Sequence, residues 1–449
     1  MNVQLTGSRF NVTTPTGDGG LLLYNTLRGS LTRIDADEAA EVLAALSEPR
    51  GAAAPIVQSL QDQGHLVSVS TDELAILHNR RHLGIVDSGR LDVVVMPTMD
   101  CNFDCIYCYE EHGHDTHMSS EVEGALIAWL TAQVPSHRLV MLHFFGGEPL
   151  YDVPLISRVT TAARDIADAS GARVAAHVTT NGYLLSGWRR EALLAAGVHD
   201  YQITIDGPAR THDRLRPLFG GRPSYSRVFS NVVGTLRSTT EVVISLRVNL
   251  NHTNLDAVEE LLDAFPEEIR PRLRLALEPI FGDQTVSATA NVDADVLSSR
   301  LGELYTTAST MGFDIAASSA GLLTGRLTYC YAERVNQVVV APDGSIFKCA
   351  AGSFDRGDRV GWLTADGHLN YDGAWDDWMR HGDTFPTRCE SCVYLPLCMG
   401  GCRKAQRDEP GSVCTLVPSN AAYVLKQIGL TGTPHALLER ACSNPDERR

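Results

Sequence analysis

Eleven cysteines stand in this chain, and none precedes position 101. Cys101, Cys105 and Cys108 share the run Thr98-Met99-Asp100-Cys101-Asn102-Phe103-Asp104-Cys105-Ile106-Tyr107-Cys108-Tyr109, a C-x3-C-x2-C spacing. Seven more, Cys330, Cys349, Cys389, Cys392, Cys398, Cys402 and Cys414, gather toward the C-terminus, and Cys442 stands apart. Thiolates are soft donors that suit zinc or iron–sulfur clusters. A structural zinc wants four closed ligands, and near the trio the further donors are His112 and His114. Three thiolates on a cubane of iron and sulfide instead leave one iron open to a substrate or cofactor, as a catalytic cluster requires. In the C-terminal group Cys389-x2-Cys392-x5-Cys398-x3-Cys402 leads on to Cys414, and Cys349 closes the turn Pro342-Asp343-Gly344-Ser345-Ile346-Phe347-Lys348-Cys349. Zinc ribbons pair two C-x2-C knuckles, whereas this run holds one.

Chemistry of this kind needs strand ends to hold it. From Leu91 the text alternates between apolar strand runs and helical periods: strands over Leu91–Met96, Val140–Phe145, Val174–Thr179, Tyr201–Ile205, Val242–Leu250 and Leu273–Pro279. Helices are expected between them, from Ser119 or Ser120 to Val134 and over Leu155–Ala169, Arg189–Ala196, Val228–Leu236 and Leu255–Phe265. Six strands with intervening helices predict an α/β fold, a parallel sheet or partial (β/α)6 TIM-like barrel over 91–284, with its site at the strands' C-terminal ends. Upstream, Leu21–Tyr24 and Leu31–Ile34 read as a hairpin, Asp35 as the cap of a helix to Leu46, Ala54–Gln63 as a second helix and His65–Val69 as a closing strand, a winged-helix-like domain over 1–78. Residues 285–328 read as a linker or bridging region, 329–416 as a cysteine-rich domain held by metal rather than by a large core, and 417–449 as a tail.

The 449 residues are 44% hydrophobic and carry 54 acidic against 38 basic side chains, a formal charge of −16. That balance repels a phosphate backbone and argues against nucleic-acid binding. No window holds the unbroken apolar run of a membrane helix, and Met1-Asn2-Val3-Gln4-Leu5-Thr6 has neither a basic nor an apolar region of a signal peptide. A cytoplasmic location is expected, where disulfides are rare and many cysteines call for metal.

The first cysteine loop resembles the signature of the radical S-adenosylmethionine (SAM) enzymes, whose open iron binds the amino and carboxylate groups of SAM. Other matches follow in order. Tyr107 falls at the aromatic position that lies near the adenine in that family. Gly146-Gly147-Glu148-Pro149 resembles its GGEP motif, where strand edge and glutamate receive the SAM ammonium and glycines allow close backbone approach to the ligand. Thr180-Asn181-Gly182 resembles a ribose-contacting turn. Asp206-Gly207-Pro208, with His212-Asp213 and Arg216, resembles the segment after the fourth strand, and Arg247 and Asn249 share one face of the fifth.

The C-terminal cysteines resemble the SPASM domain, an extension of radical SAM enzymes with two auxiliary 4Fe-4S clusters. The resemblance assigns Cys389, Cys392, Cys398 and Cys414 to an outer cluster and Cys330, Cys349 and Cys402 to an inner one. For the inner cluster's fourth position Cys442, a non-cysteine side chain and an open iron all remain available. Together the resemblances imply three 4Fe-4S clusters, one binding SAM, and an oxidoreductase that cleaves SAM to a 5′-deoxyadenosyl radical. SPASM proteins act mainly on peptides, and residues 1–78 resemble the precursor-peptide recognition element that binds a leader as an added strand. The implied function is maturation of a ribosomally made precursor peptide by thioether or carbon–carbon cyclisation, with electrons from a reductase such as flavodoxin or ferredoxin. Formylglycine formation of the anaerobic sulfatase-maturase kind and action on a small cofactor precursor are the alternatives.

Overall fold

The computed structural model describes residues 4–431 except 88, 111–115, 281–293, 316–322, 353, 355–356, 381–383, 409–413 and 416. His112, His114, Cys442 and the first part of the expected linker lie outside the described residues.

The alternation begun at residue 91 becomes six strands, β6 (Arg90–Val95), β7 (Leu139–Phe144), β8 (Arg173–Thr180), β9 (Asp200–Thr204), β10 (Val243–Leu250) and β11 (Leu273–Pro279), paired in sequential order and all parallel. Connecting them are α4 (Ser120–Gln133), α5 (Val153–Ser170), α6 (Trp188–Ala195), α7 (Ala209–Leu215), α8 (Tyr225–Ser238) and α9 (Val258–Asp263). On β7 the period of two sends Val140, Leu142 and Phe144 into the core and leaves Leu139, Met141 and His143 half-buried on the opposite face. Local capping sets the helix starts: Ser119 accepts from the Val122 N–H and Asp152 from that of Leu155. Helix α7 was not expected; its Asp213 accepts from the Ser224 and Tyr225 N–H groups at 2.8 Å and so caps α8 from outside.

Upstream lie β1 (Leu5–Gly7), β2 (Asn11–Pro15), β3 (Leu21–Asn25), β4 (Leu31–Ile34), α1 (Ala39–Ser47), α2 (Ala54–Asp62), β5 (Leu66–Ser68) and α3 (Glu73–Val86). Strands β2, β3 and β4 form an antiparallel sheet with β4 at one edge, while β1 pairs with β5. The expected hairpin is β3–β4. Asp35 is not a side-chain cap: its carbonyl oxygen accepts from Glu38 and Ala39, and α1 begins at Ala39. Helix α3, which the reading passed over, runs through position 78 and continues the N-terminal module to Val86.

The large sheet does not stop at β6. Strand β12 (Gln337–Val340) pairs parallel with β6, Gln337 opposite Asp92, and antiparallel β13 (Ser345–Phe347), β14 (Gly361–Leu363) and β15 (Leu369–Tyr371) follow. The cysteine-rich region therefore shares its backbone ladder with the core. Asp92, 1% exposed, fixes this seam: Arg90 binds it at 2.7 Å and Arg334 at 3.0 Å, with His143 Nε2 3.4 Å away. The expected bridge contains a helix, Ala294–Thr310, which buries Leu297, Leu301 and Leu304, and the expected tail begins as a helix, Val417–Thr431, whose Val424 and Leu425 are buried. Among the described residues no helix is long and apolar enough to cross a membrane.

Burial raises the Asp92 pKa, but hydrogen bonds from His143 and Arg90 and the charges of Arg90 and Arg334 outweigh it and hold it at about 2. Because the folded value lies below the unfolded one, the stabilisation is complete above the unfolded pKa and lost as pH falls through about 2. Asp92→Asn is expected to cost about 3 kcal/mol near neutral pH. Denaturant midpoints measured against pH should show the deficit shrinking below about pH 4.

Candidate iron–sulfur and cofactor site

The cysteine loop leaves β6 at the C-terminal end of the sheet, and the end of β7 is packed beneath it. Gly147 N donates to the Thr98 oxygen at 3.1 Å and Glu148 N to that of Asp100 at 2.7 Å. Gly146 adopts φ +109°, in the region that favours glycine. A Cβ at Gly147 would stand 2.3 Å from the Asp100 oxygen and 2.5 Å from that of Met99. The close approach expected of these glycines is thus made to the backbone of the cysteine loop.

Glu148 is fully buried. Its Oε1 accepts from Leu150 N at 3.0 Å and Thr180 Oγ1 at 2.7 Å, and its Oε2 from Asn181 N at 2.8 Å. The carboxylate thereby ties the ends of β7 and β8, and Pro149 starts the helical turn that follows. Burial raises the Glu148 pKa against the pull of these bonds. Asn181 continues the connection, donating to Asn102 Oδ1 at 2.7 Å and approaching Cys101 Sγ at 3.8 Å.

Tyr107 reaches the opposite side of the opening. Its hydroxyl donates to Asp206 and accepts from Arg216 at 2.6 Å and Asn249 Nδ2 at 3.1 Å. Asp206 accepts from Asn249 N at 2.8 Å, and its own N–H donates to His212 Nδ1 at 3.2 Å. Arg247 binds Asn249 Oδ1 at 2.7 Å from the same strand face. The guanidinium of Arg216 also lies over the rings of Phe103 and Tyr107 at 5.5 and 5.9 Å. Thus Tyr107, Asp206, Arg216, Arg247 and Asn249 meet in one network, while Glu148, Thr180 and Asn181 meet in another, with the loop between them. Glu110 is a group the sequence reading missed. Burial pushes its carboxyl up to about 8, and its Oε1 has no hydrogen-bond partner among the described residues. An acidic residue in a polar loop gives no sequence signal of such burial.

The ten described cysteines are free thiols. Cys101 lies within the electrostatic reach of Cys105 and Cys108, Cys330 within that of Cys349 and Cys402, and Cys398 within that of Cys392, Cys389 and Cys414. Cys402 therefore lies near Cys330 and Cys349. Burial, reinforced by neighbouring negative charge, pushes Cys330 to about 12. Buried thiols crowded in this way are poor thiolates on their own and good ones beside a cationic centre. Among the described residues no three His, Cys, Asp or Glu side chains converge tightly enough for a single metal ion. Looser sets of three and four thiols suit a multi-iron cluster, and the Gly147 cradle leaves room for the loop that carries the first set. Asp358 also acts on Cys349, but Lys404 at 3.2 Å and Arg407 already hold its carboxylate.

A parallel β/α sheet with a three-cysteine loop at the mouth of its first strand defines a barrel-type iron–sulfur enzyme. The sequence profile of the Radical SAM superfamily matches residues 95–265, so the chain carries a radical SAM domain there. It is 25% identical over 336 residues to the PqqA peptide cyclase of Ruegeria pomeroyi, covering 68% of this chain and 80% of that protein. It is 29% identical over 169 residues to the probable GTP 3′,8-cyclase of Methanocella arvoryzae, covering 37% of this chain and half of that protein. The fold is shared with anSMEcpe with bound AdoMet (TM-score 0.62, 17% identity, 80% of this chain and 97% of that one). It is also shared with Streptococcus suis SuiB bound to precursor peptide SuiA (TM-score 0.50, 15% identity, 91% and 97%).

Gly147→Ala is expected to force the loop off its seat, costing about 1–3 kcal/mol and lowering the iron content. Gly124→Ala, where a Cβ meets open space on an exposed helix position, should leave the iron unchanged and raise stability by about 0.5–1 kcal/mol. Denaturant midpoints and iron content after anaerobic reconstitution give the comparison.

Proposed function

We propose that this chain is a radical SAM maturase that oxidatively cross-links a ribosomally made precursor peptide. The observation that carries the reading is the length of the similarity to the PqqA peptide cyclase: 336 aligned residues cannot fit within the 95–265 superfamily core. The likeness therefore takes in more than the radical-generating chemistry common to the superfamily. When bound, a reduced 4Fe-4S cluster and SAM supply a 5′-deoxyadenosyl radical able to abstract hydrogen.

The residues of this chain do the rest. Cys101, Cys105 and Cys108 hold the SAM-binding cluster, with Glu148, Thr180 and Asn181 fixing the strand ends around it. Tyr107, Asp206, Arg216 and Asn249 form a pre-ordered polar wall for the nucleoside part of SAM, with Arg247 behind it. Cys330, Cys349 and Cys402 hold an inner auxiliary cluster and Cys389, Cys392, Cys398 and Cys414 an outer one, the two making up a SPASM domain. The N-terminal module serves as a winged-helix-like leader-recognition element. Its β4 edge offers unpaired main-chain groups to an extended peptide, the usual way a sheet edge captures a strand. The core of the precursor would lose two hydrogens as a thioether or carbon–carbon bond forms, one as an atom to the 5′-deoxyadenosyl radical and one as a proton to solvent, its electron returning to an iron–sulfur cluster so that SAM is the net oxidant. A flavodoxin or ferredoxin supplies the priming electron, in the cytoplasm where thiols stay reduced.

Co-expression with a short precursor and mass spectrometry of the product test the reading. A loss of two mass units with a cysteine no longer alkylatable supports a thioether; the same loss with free cysteines supports a carbon–carbon link; an unchanged precursor counts against both.

Changing Cys101, Cys105 and Cys108 together to alanine should remove one third of the iron and all SAM cleavage while two clusters remain. Zinc in place of iron would refute the assignment. For the leader, Arg33→Pro is expected to block strand addition on β4, because alternation of the β3–β4 ladder turns the Arg33 N–H away from β3. Leader affinity should fall about tenfold or more, with iron content and peptide-independent SAM cleavage unchanged, as read by fluorescence anisotropy of a labelled leader.

A further inference from the structure

The N-terminal module is seated on the cysteine-rich region. Arg9 donates to the Glu390 oxygen at 2.6 Å, one residue after Cys389, and Thr26 donates to the Val393 oxygen, one residue after Cys392. Phe10, Leu27 and Leu77 share a buried cluster with Phe385, Leu395 and Met399, the last following Cys398, and Cys389 and Cys392 pack against that cluster. The His78 ring lies 4.6 Å from that of Phe385, tilted by 45°, and the Arg81 guanidinium covers Phe385 at 4.8 Å.

Below that apolar contact lies an ion pair. Arg81 of α3 meets Glu333 at 3.2 Å, with their side chains 6% and 0% exposed. Glu333 closes the helical turn that begins beside Cys330, and its Oε1 accepts from Tyr329 N at 3.1 Å, immediately before that cysteine. The charge of Arg403, which follows Cys402, also reaches Glu333. One buried carboxylate thus connects α3 to the segment carrying Cys330. The end of α3 adds a main-chain bond, from Val335 N to the Ile85 oxygen at 2.8 Å.

We propose that the N-terminal module is a wall of the auxiliary cluster domain, with Arg81, through Glu333, the residue that positions the Cys330 segment for iron. A buried carboxylate deprived of its cation must find another partner or take up a proton, and either change moves the backbone it holds. Residues that orient metal ligands typically change metal affinity by about 10- to 100-fold when altered. Removal of the module would also expose Phe385, Leu395 and Met399, so truncation would not separate leader binding from cluster assembly.

This inference rests on the reading of the C-terminal cysteines as cluster ligands. Its test is iron release from the full-length, anaerobically prepared holoenzyme to a ferrous chelator, together with EPR of the reduced clusters. In Arg81→Met one fraction of the iron should leave about 10- to 100-fold faster, with an altered auxiliary EPR signal and unchanged peptide-independent SAM cleavage. Glu333→Gln should mobilise the same fraction. Arg81→Lys, which keeps the charge without the planar fork, should fall between wild type and Arg81→Met, and it serves in place of Arg81→Met if that chain is not recovered folded. Wild-type release and EPR in these variants overturn the proposal. If instead Cys349→Ala carries as much iron as wild type, it is the cluster reading itself that fails.

Discussion

Two peptide backbones must lie almost in contact for this site to exist. The turn at the end of β7 passes under the loop from Thr98 to Cys108, and the space between them has no room for a side chain. Gly146 and Gly147 satisfy that constraint, the first by its positive φ and the second by the absence of a Cβ. Once the turn is seated, Glu148 N bonds the Asp100 oxygen, and the Glu148 side chain turns inward to collect Thr180 and Asn181. The position of the cysteine loop thus follows from a steric allowance one strand away.

Charge is managed in the same way on the far side of the opening. Asp206 and Arg216 are buried and Tyr107 half-buried, and the Tyr107 hydroxyl joins the other two by hydrogen bonds to both. Buried polar groups cost little when satisfied and a great deal when one member is missing. The network therefore arrives pre-ordered, which reduces the reorganisation a bound cofactor must impose.

At larger scale, the cysteine-rich region is joined to its neighbours on two sides. Through β12 it shares the ladder of the core sheet, with Asp92, Arg90 and Arg334 clamping the seam. Through Arg81 and Glu333 it shares a buried ion pair with the N-terminal module. Such a region has little apolar core of its own, and these borrowed contacts supply part of what a larger core would otherwise provide.

The elements that a local period defines were legible in the sequence. The alternation of apolar residues set six parallel strands and five of the helices between them within a few residues, and the first trio's spacing by itself pointed to a cluster with an open iron. The short, polar α7 and the long α3 escaped, because α7 carries too few residues to show a period and α3 mixes charged with apolar positions across its length. Spacing alone would also have kept Cys402 with Cys389, Cys392 and Cys398, and only the fold brings it near Cys330 and Cys349. The Tyr107–Asp206–Arg216 network, the Asp92 seam and the Arg81–Glu333 pair join residues 99 to 252 positions apart. Sequence by itself determined the cysteine spacing and the order of strands and helices, since these depend on residue type and near neighbours. Tertiary structure alone decided which side chains meet across that distance, because such meetings depend on how packed elements bring remote backbone together.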